Sequence, residues 1–220
     1  MSATNAEQIN QLGFITVLGN IRQGLVGGFL ILNLVGRPTE FHCTAPVRPN
    51  RAQEILYGNT LEAFLCGDQI ARTLISRSKA SLLAIVTDIP ALLSIQDSIR
   101  FPLIYLLKEK KSEPFFNNQQ NIGDAENNTE ATNSEEKAFS CDSFDATDET
   151  KQSFVPGLNV DRWAVITKNK IRLAIPKEEN LIDPDQSLLL KQLDPFLKSI
   201  DIPEPFERIR LAIEEAQKSV

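Results

Sequence analysis

The chain has 220 residues, 42% of them hydrophobic and 24% charged, with a formal net charge of −6. These proportions suit an ordinary globular protein and exclude collagen-like, coiled-coil and wholly disordered chains. The acidity is local: ten acidic residues against Lys137 and Lys151 place −8 between Lys111 and Ser153, in residues 112–153, and the remainder, Lys111 included, carries +2.

The first dozen residues are polar and lack a basic region followed by an apolar run, so no secretory leader is predicted. The longest apolar stretch, 24–36, is 13 residues interrupted by Asn33. That falls short of the roughly 20 residues a helix needs to cross a bilayer, and no membrane span is predicted. Cys43, Cys66 and Cys141 are too few and too scattered for a disulfide framework. They point to a reducing compartment and a cytoplasmic protein. The Asn127-Asn128-Thr129 triplet is read as chance within an Asn-rich run.

In chain order, residues 1–10 are predicted disordered, and 14–18 (Phe-Ile-Thr-Val-Leu) form a first strand. Residues 28–35 form a second, more buried one. After a turn at Gly36-Arg37-Pro38, residues 39–44 form a third, with Phe41 and Cys43 on the core face and Glu40, His42 and Thr44 on the polar face. The three strands make an antiparallel meander. Asn50 and Gly58 have the chemistry of an N-cap and a terminator for a short helix. A second helix spans 60–77, its stripe formed by Ala63, Cys66, Gly67, Ile70, Ala71, Leu74 and Ile75.

Residues 81–87 are apolar on both faces, as in a covered central strand, and end in Asp88. A short helix over 89–95 and a fifth strand over 101–107 follow. Strand–helix–strand order predicts parallel pairing by crossover, from the third strand to the fourth and from the fourth to the fifth. Residues 111–153 are poor in apolar side chains and are predicted to be a disordered acidic insert. A hairpin around Lys168-Asn169 comes next, with Ile171, Leu173 and Ile175 on one face and Arg172 on the other. Helices over 185–200 and 203–217 close the chain.

The fold predicted is α/β: a mixed sheet with an N-terminal antiparallel meander, two crossover units, a C-terminal hairpin and two C-terminal helices. Residues 11–110 supply the first part and 154–220 complete the same domain, a separate C-terminal subdomain being the alternative.

A single histidine excludes zinc sites that need two imidazoles, and no phosphate loop, nucleophile elbow or Cys-x-x-Cys pair is present. No metal and no cofactor is predicted. Cys43 and Cys66 read as buried structural thiols, and His42 as a half-exposed strand histidine beside Glu40. In open α/β sheets ligands gather at the carboxyl ends of the parallel strands. That edge is predicted to collect Thr44, Arg48, Asn50 and Arg51 after the third strand, Thr87 and Asp88 after the fourth, and Lys108 after the fifth. Arg48, Asn50 and Arg51 are the candidate anion ligands, and Asp88 and His42 the candidate acid–base groups.

The leading functional expectation is a non-enzymatic module that binds a protein partner. The alternative is a small enzyme or sensor acting on a phosphate or carboxylate at that edge. A nucleic-acid surface is a weaker fit, because Arg22, Arg37, Arg48, Arg51, Arg72, Arg77 and Lys79 lack interleaved exposed aromatics. The insert is read as a solubilising loop, or as an acidic tether over the same edge.

Overall fold

The computed structural model describes residues 11–107, 162–177 and 188–218. The predicted disordered N-terminus (1–10), the acidic insert (111–153) and Cys141 lie outside these residues.

Among the described residues seven strands form one mixed sheet in the order β3-β2-β1-β4-β5-β7-β6. β1 (Gln11–Asn20), β2 (Gly24–Asn33) and β3 (Pro38–Cys43) are the predicted antiparallel meander. β1 and β2 are each 10 residues long, and their hairpin closes around Gly24, whose φ of +112° favours glycine. α1 (Arg51–Tyr57) starts and stops at the predicted residues. Asn50 accepts from Gln53 N–H while the Gln53 side chain accepts from Asn50 N–H, a complete capping box, and Gly58 ends the helix at a positive φ.

The second predicted helix is composite. It runs through α2 (Leu61–Ala63), a π-helical stretch Phe64–Ala71 and α3 (Arg72–Arg77). A 3-10 helix, Pro90–Ser98, joins β4 (Ala84–Thr87) to β5 (Leu103–Leu107). Gly67 in the π stretch lets that 3-10 helix approach, since a Cβ there would stand 2.7 Å from Ile95 Cγ2.

β4 and β5 are parallel neighbours, as expected. The passage from β3 to β4 differs from the expectation: β4 pairs in parallel with β1, Leu12 opposite Ala84 through Ile15 opposite Thr87. The composite helix lies across β1 and β2 and carries the chain past both, so β3 remains an edge strand. β6 (Trp163–Lys168) and β7 (Ile171–Pro176) form the C-terminal hairpin, and β7 joins β5 antiparallel. Its turn sits at Asn169 and Lys170, both at positive φ (52° and 66°), one residue later than predicted.

α4 (Leu188–Ser199) and α5 (Glu204–Lys218) cover one face of the sheet, and the composite and 3-10 helices cover the other. On the first face Phe14 meets Phe206 edge-on at 5.7 Å, an arrangement worth about 0.5–1.5 kcal/mol beyond the area it buries. The consecutive glycines of β2 explain how both layers come so close. A Cβ on Gly27 would lie 2.1 Å from Ile70 Cγ2, and one on Gly28 would lie 2.3 Å from Ile209 Cγ2. The two glycines lie inside β2, and each seats a helix from the opposite side of the sheet.

Edge position also reverses the predicted facing of β3. Cys43 is exposed and Phe41 is 39% exposed, whereas Glu40 and His42 are half-buried on the side of α3. Strand alternation is obeyed. The layer that covers the strand, however, lies over its polar residues. The buried reading therefore holds for Cys66 and fails for Cys43.

Among the described residues no helix is long and apolar enough to cross a membrane.

Candidate functional site

β4 and β5 finish side by side, with Thr87 opposite Tyr105. Thr87 Oγ1 accepts from Ile89 N–H at 3.1 Å and turns the chain out of the sheet. This leaves Asp88 at the carboxyl edge with its side chain fully buried. Its Oδ2 accepts from Arg210 Nη2 at 2.7 Å, so a carboxylate on the sheet is tied to the middle of α5. Burial, and then the Asp88 charge beside it, push the Tyr105 phenol above its ordinary range.

Because β7 runs antiparallel to β5, its first residues lie beside the end of β5, with Arg172 opposite Leu107. The turn before it is anchored by Asn169 Nδ2, which donates to Leu197 O at 3.1 Å near the end of α4. The first turns of α5 supply Phe206 and Arg210, four residues apart and hence neighbours on one helix face.

These elements enclose a cavity of about 300 Å3. Leu106, Leu107, Ile171, Pro203 and Phe206 form its apolar wall, and Asp88, Lys170, Arg172 and Arg210 its ionic part. Three cations thus face one carboxylate. Arg210 already serves Asp88, and it reaches Glu207 at 3.5 Å. Lys170 and Arg172 form no ion pair among the described residues. Cationic side chains against apolar walls feel less screening than on open surface, so the cavity favours an anion.

Of the residues singled out in the sequence, only Asp88 lines this cavity. Arg48 lies at the tip of the β1–β2 hairpin, where its Nε donates to Gln23 O at 2.9 Å. Asn50 caps its own helix, and Arg51, with a side chain 83% exposed, pairs with Glu54 at 2.8 Å. Thr44 Oγ1 accepts from Gly27 N–H at 3.0 Å, and Lys108 lies outside the described residues. Arg48, Asn50 and Arg51 thus each make a local contact on the meander side of the sheet, with Gln23, Gln53 and Glu54, and Asp88 is tied to α5.

His42 Nε2 lies 3.0 Å from Glu40 Oε2, both side chains being about one-third exposed. The hydrogen bond from His42, then one from the Ser78 hydroxyl, hold the Glu40 carboxyl below its ordinary range. The carboxylate stands between serine and imidazole. A nucleophilic relay needs the imidazole in the middle, so this cluster is not arranged for one. Cys66 is equally unsuited to thiolate chemistry: burial, and secondarily Glu62, push its thiol up to about 12.

Sequence reasoning missed Lys170, Arg172 and Arg210. The first two were visible as cations at the hairpin turn. Arg210 sits next to Ile209 in the buried stripe of α5, a charge beside a core position that asks for a partner. Among the described residues no group of three or more His, Cys, Asp or Glu side chains could hold a metal ion. Comparison with protein-family models and with curated protein sequences gives no match, so the reading of this site rests on its own geometry.

Proposed function

We infer that the carboxyl-edge cavity binds a small anion with an apolar portion, such as a carboxylate or phosphate ester on a short aliphatic or aromatic body. The observation that carries this reading is the convergence of Lys170, Arg172 and Arg210 on an apolar-walled cavity of about 300 Å3 that contains one carboxylate, itself engaged by Arg210. The volume is at the lower end of small-molecule sites, which limits the ligand to a few rings or a short chain. The anion would lie between Lys170 and Arg172, with its apolar part against Leu107, Ile171 and Phe206. The lining supplies cationic binding groups and no serine, cysteine or histidine, and its one carboxylate is engaged by Arg210, which favours a sensor or carrier over a hydrolase or transferase. A thermal-shift screen of short carboxylates and phosphate monoesters tests it. A ligand at 100 times its Kd raises stability by about 2.7 kcal/mol, a readily measured shift that Arg172→Ala should abolish. Absence of any such rise across the screen would refute the reading.

A second reading, docking of a protein partner, draws on α1. None of its residues is buried, and Ile55 and Leu56 are 67% and 81% exposed. Replacing both with Asp should leave the fold intact and abolish any interaction made through this helix.

A further inference from the structure

A larger cleft lies on the opposite edge of the sheet, where the chain leaves α3 for β4 and leaves the 3-10 helix for β5. Its volume is about 610 Å3, and its polar lining is Arg72, Ser76, Ser78, Lys79, Ser98 and Arg100. We propose that this amino-edge cleft is an anion site for a small molecule bearing two or more phosphoryl groups.

The lining consists of three cations and three hydroxyl-bearing side chains over an apolar floor of Ile75 and Ile99, with no carboxylate among the lining residues. Each cation is held differently. The Arg100 guanidinium lies over the Phe101 ring at 4.5 Å, and its Nη2 is 3.5 Å from Ala80 O. The cation–π contact holds the guanidinium over the ring while leaving most of its donors open to a ligand. Arg72 Nη1 donates to Asp68 Oδ1 at 3.0 Å, one turn back along the composite helix and away from the lining, which leaves its other donors available. Lys79 is exposed and makes no ion pair among the described residues. Two carboxylates flank the lining, Asp68 on Arg72 and Glu40 behind Ser78, and His42 engages the second.

The donor set decides the ligand class. A carboxylate has two oxygens in one plane and would use only part of this lining. Phosphoryl groups present three oxygens each in a tetrahedral array and carry more than one charge, which matches three cations and the Ser98 hydroxyl spread around an open cleft, since Ser76 Oγ already donates to Thr73 O at 2.8 Å and the Ser78 hydroxyl to Glu40. The size of the cleft decides the number of groups. It is about twice as large as the carboxyl-edge cavity, and its cations are contributed by α3, the loop before β4 and the loop before β5, so one phosphate would leave part of the lining unused.

The competing role for these cations is local. Lys79 stands just beyond the helix that Arg72 to Arg77 close, where with Arg77 in the last turn it offsets the partial negative charge of the last carbonyls, while Arg72 is held by Asp68 and Arg100 by Phe101. The experiment separates the two roles. Inorganic pyrophosphate and a nucleoside diphosphate are titrated calorimetrically into the full chain at low salt, with the wild type compared to Lys79→Ala, Arg100→Ala and Arg172→Ala. The proposal expects pyrophosphate to bind, with Lys79→Ala and Arg100→Ala each weakening it at least about tenfold, the usual consequence of losing one charge-assisted hydrogen bond. Arg172→Ala, in the other cavity, should leave it unchanged, so failure of either site is distinguishable from failure of the other. Tighter binding of the nucleoside diphosphate would identify a nucleotide as the source of the phosphoryl groups, and equal binding the pyrophosphate unit alone. No heat from either probe, or heat that Arg172→Ala abolishes, would overturn the proposal. So would variants that lower the melting temperature without changing the titration, or a single-stranded oligonucleotide that binds the same residues more tightly than pyrophosphate does.

Discussion

Replacing Gly28 with Ala tests how the two helical layers are seated on the sheet. The added Cβ would lie 2.3 Å from Ile209 Cγ2 and 2.9 Å from Ile213 Cδ1, and both isoleucines are essentially unexposed. Carbon atoms are comfortable at about 3.5–4 Å, so either α5 retreats by roughly 1 Å or Ile209 leaves its rotamer. Ile209 is β-branched and its Cγ2 is fixed close to the backbone, which makes the second route stiff. Overpacking of this kind costs about 1–3 kcal/mol. Alanine loses less backbone entropy than glycine on folding, which returns roughly 0.5–1 kcal/mol. With two contacts below 3.0 Å the overpacking cost falls in the upper half of its range, about 2–3 kcal/mol, so the net loss should be about 1–2.5 kcal/mol, or a fall of some 2–10 °C in Tm for a chain of this size. Ile209→Ala alone should cost about 2–5 kcal/mol through the cavity it leaves. In the double variant the new methyl occupies part of that space. The two losses should then be less than additive by about 0.5 kcal/mol or more, measured by urea denaturation followed by circular dichroism. A Gly28→Ala protein that melts with the wild type, or strict additivity of the pair, would refute the close seating of α5 on β2.

Other consequences are separable by simpler measurements. Cys43, exposed at the sheet edge, should react with a thiol reagent in the native protein at the rate of an open thiol. Cys66, buried and with its thiol pushed up to about 12, should react only on unfolding, as mass mapping of the labelled sites would show. Glu40 has its folded pKa lowered by His42 and Ser78, so its contribution to stability is present above the ordinary carboxyl value and is lost as pH falls through the lower folded value. The stability gap between wild type and Glu40→Gln should therefore be widest near neutral pH and close in strongly acidic urea titrations; a gap that is constant with pH would contradict the linkage. Asn50→Ala removes the capping box and should cost about 1 kcal/mol locally. Because α1 buries none of its residues, the change should appear as faster amide exchange over Arg51–Tyr57 with little change in the global melt. Arg210→Met leaves the buried Asp88 carboxylate without its guanidinium partner, and loss of a charge-assisted hydrogen bond of this kind costs about 1.5–3 kcal/mol of stability, readable in a urea titration.

Sequence by itself determined the local structure. Alternating and continuous apolar runs located the strands, the second of them displaced from 28–35 to Gly24–Asn33. Asn50 and Gly58 marked both ends of α1, and apolar stripes located the composite helix, without its π-helical stretch, and α4 and α5, because each signal involves residues within a few positions of one another. The α/β class and the meander followed from the order of those elements. Only the tertiary structure decided which strands became neighbours. β4 lies beside β1 instead of β3 because a helix 17 residues long bridges two strands as readily as one, and nothing local to β3 or β4 records the choice. Facing at the edge strand was likewise decided at a distance. Alternation showed that Cys43 and His42 point opposite ways, but which side is covered depends on where α3 and α5 end. The carboxyl-edge cavity shows the same division. The topological rule found Asp88, whereas Lys170, Arg172 and Arg210 come from segments more than 80 residues further along the chain and meet it only because β7 joins β5 and α5 crosses the sheet above them.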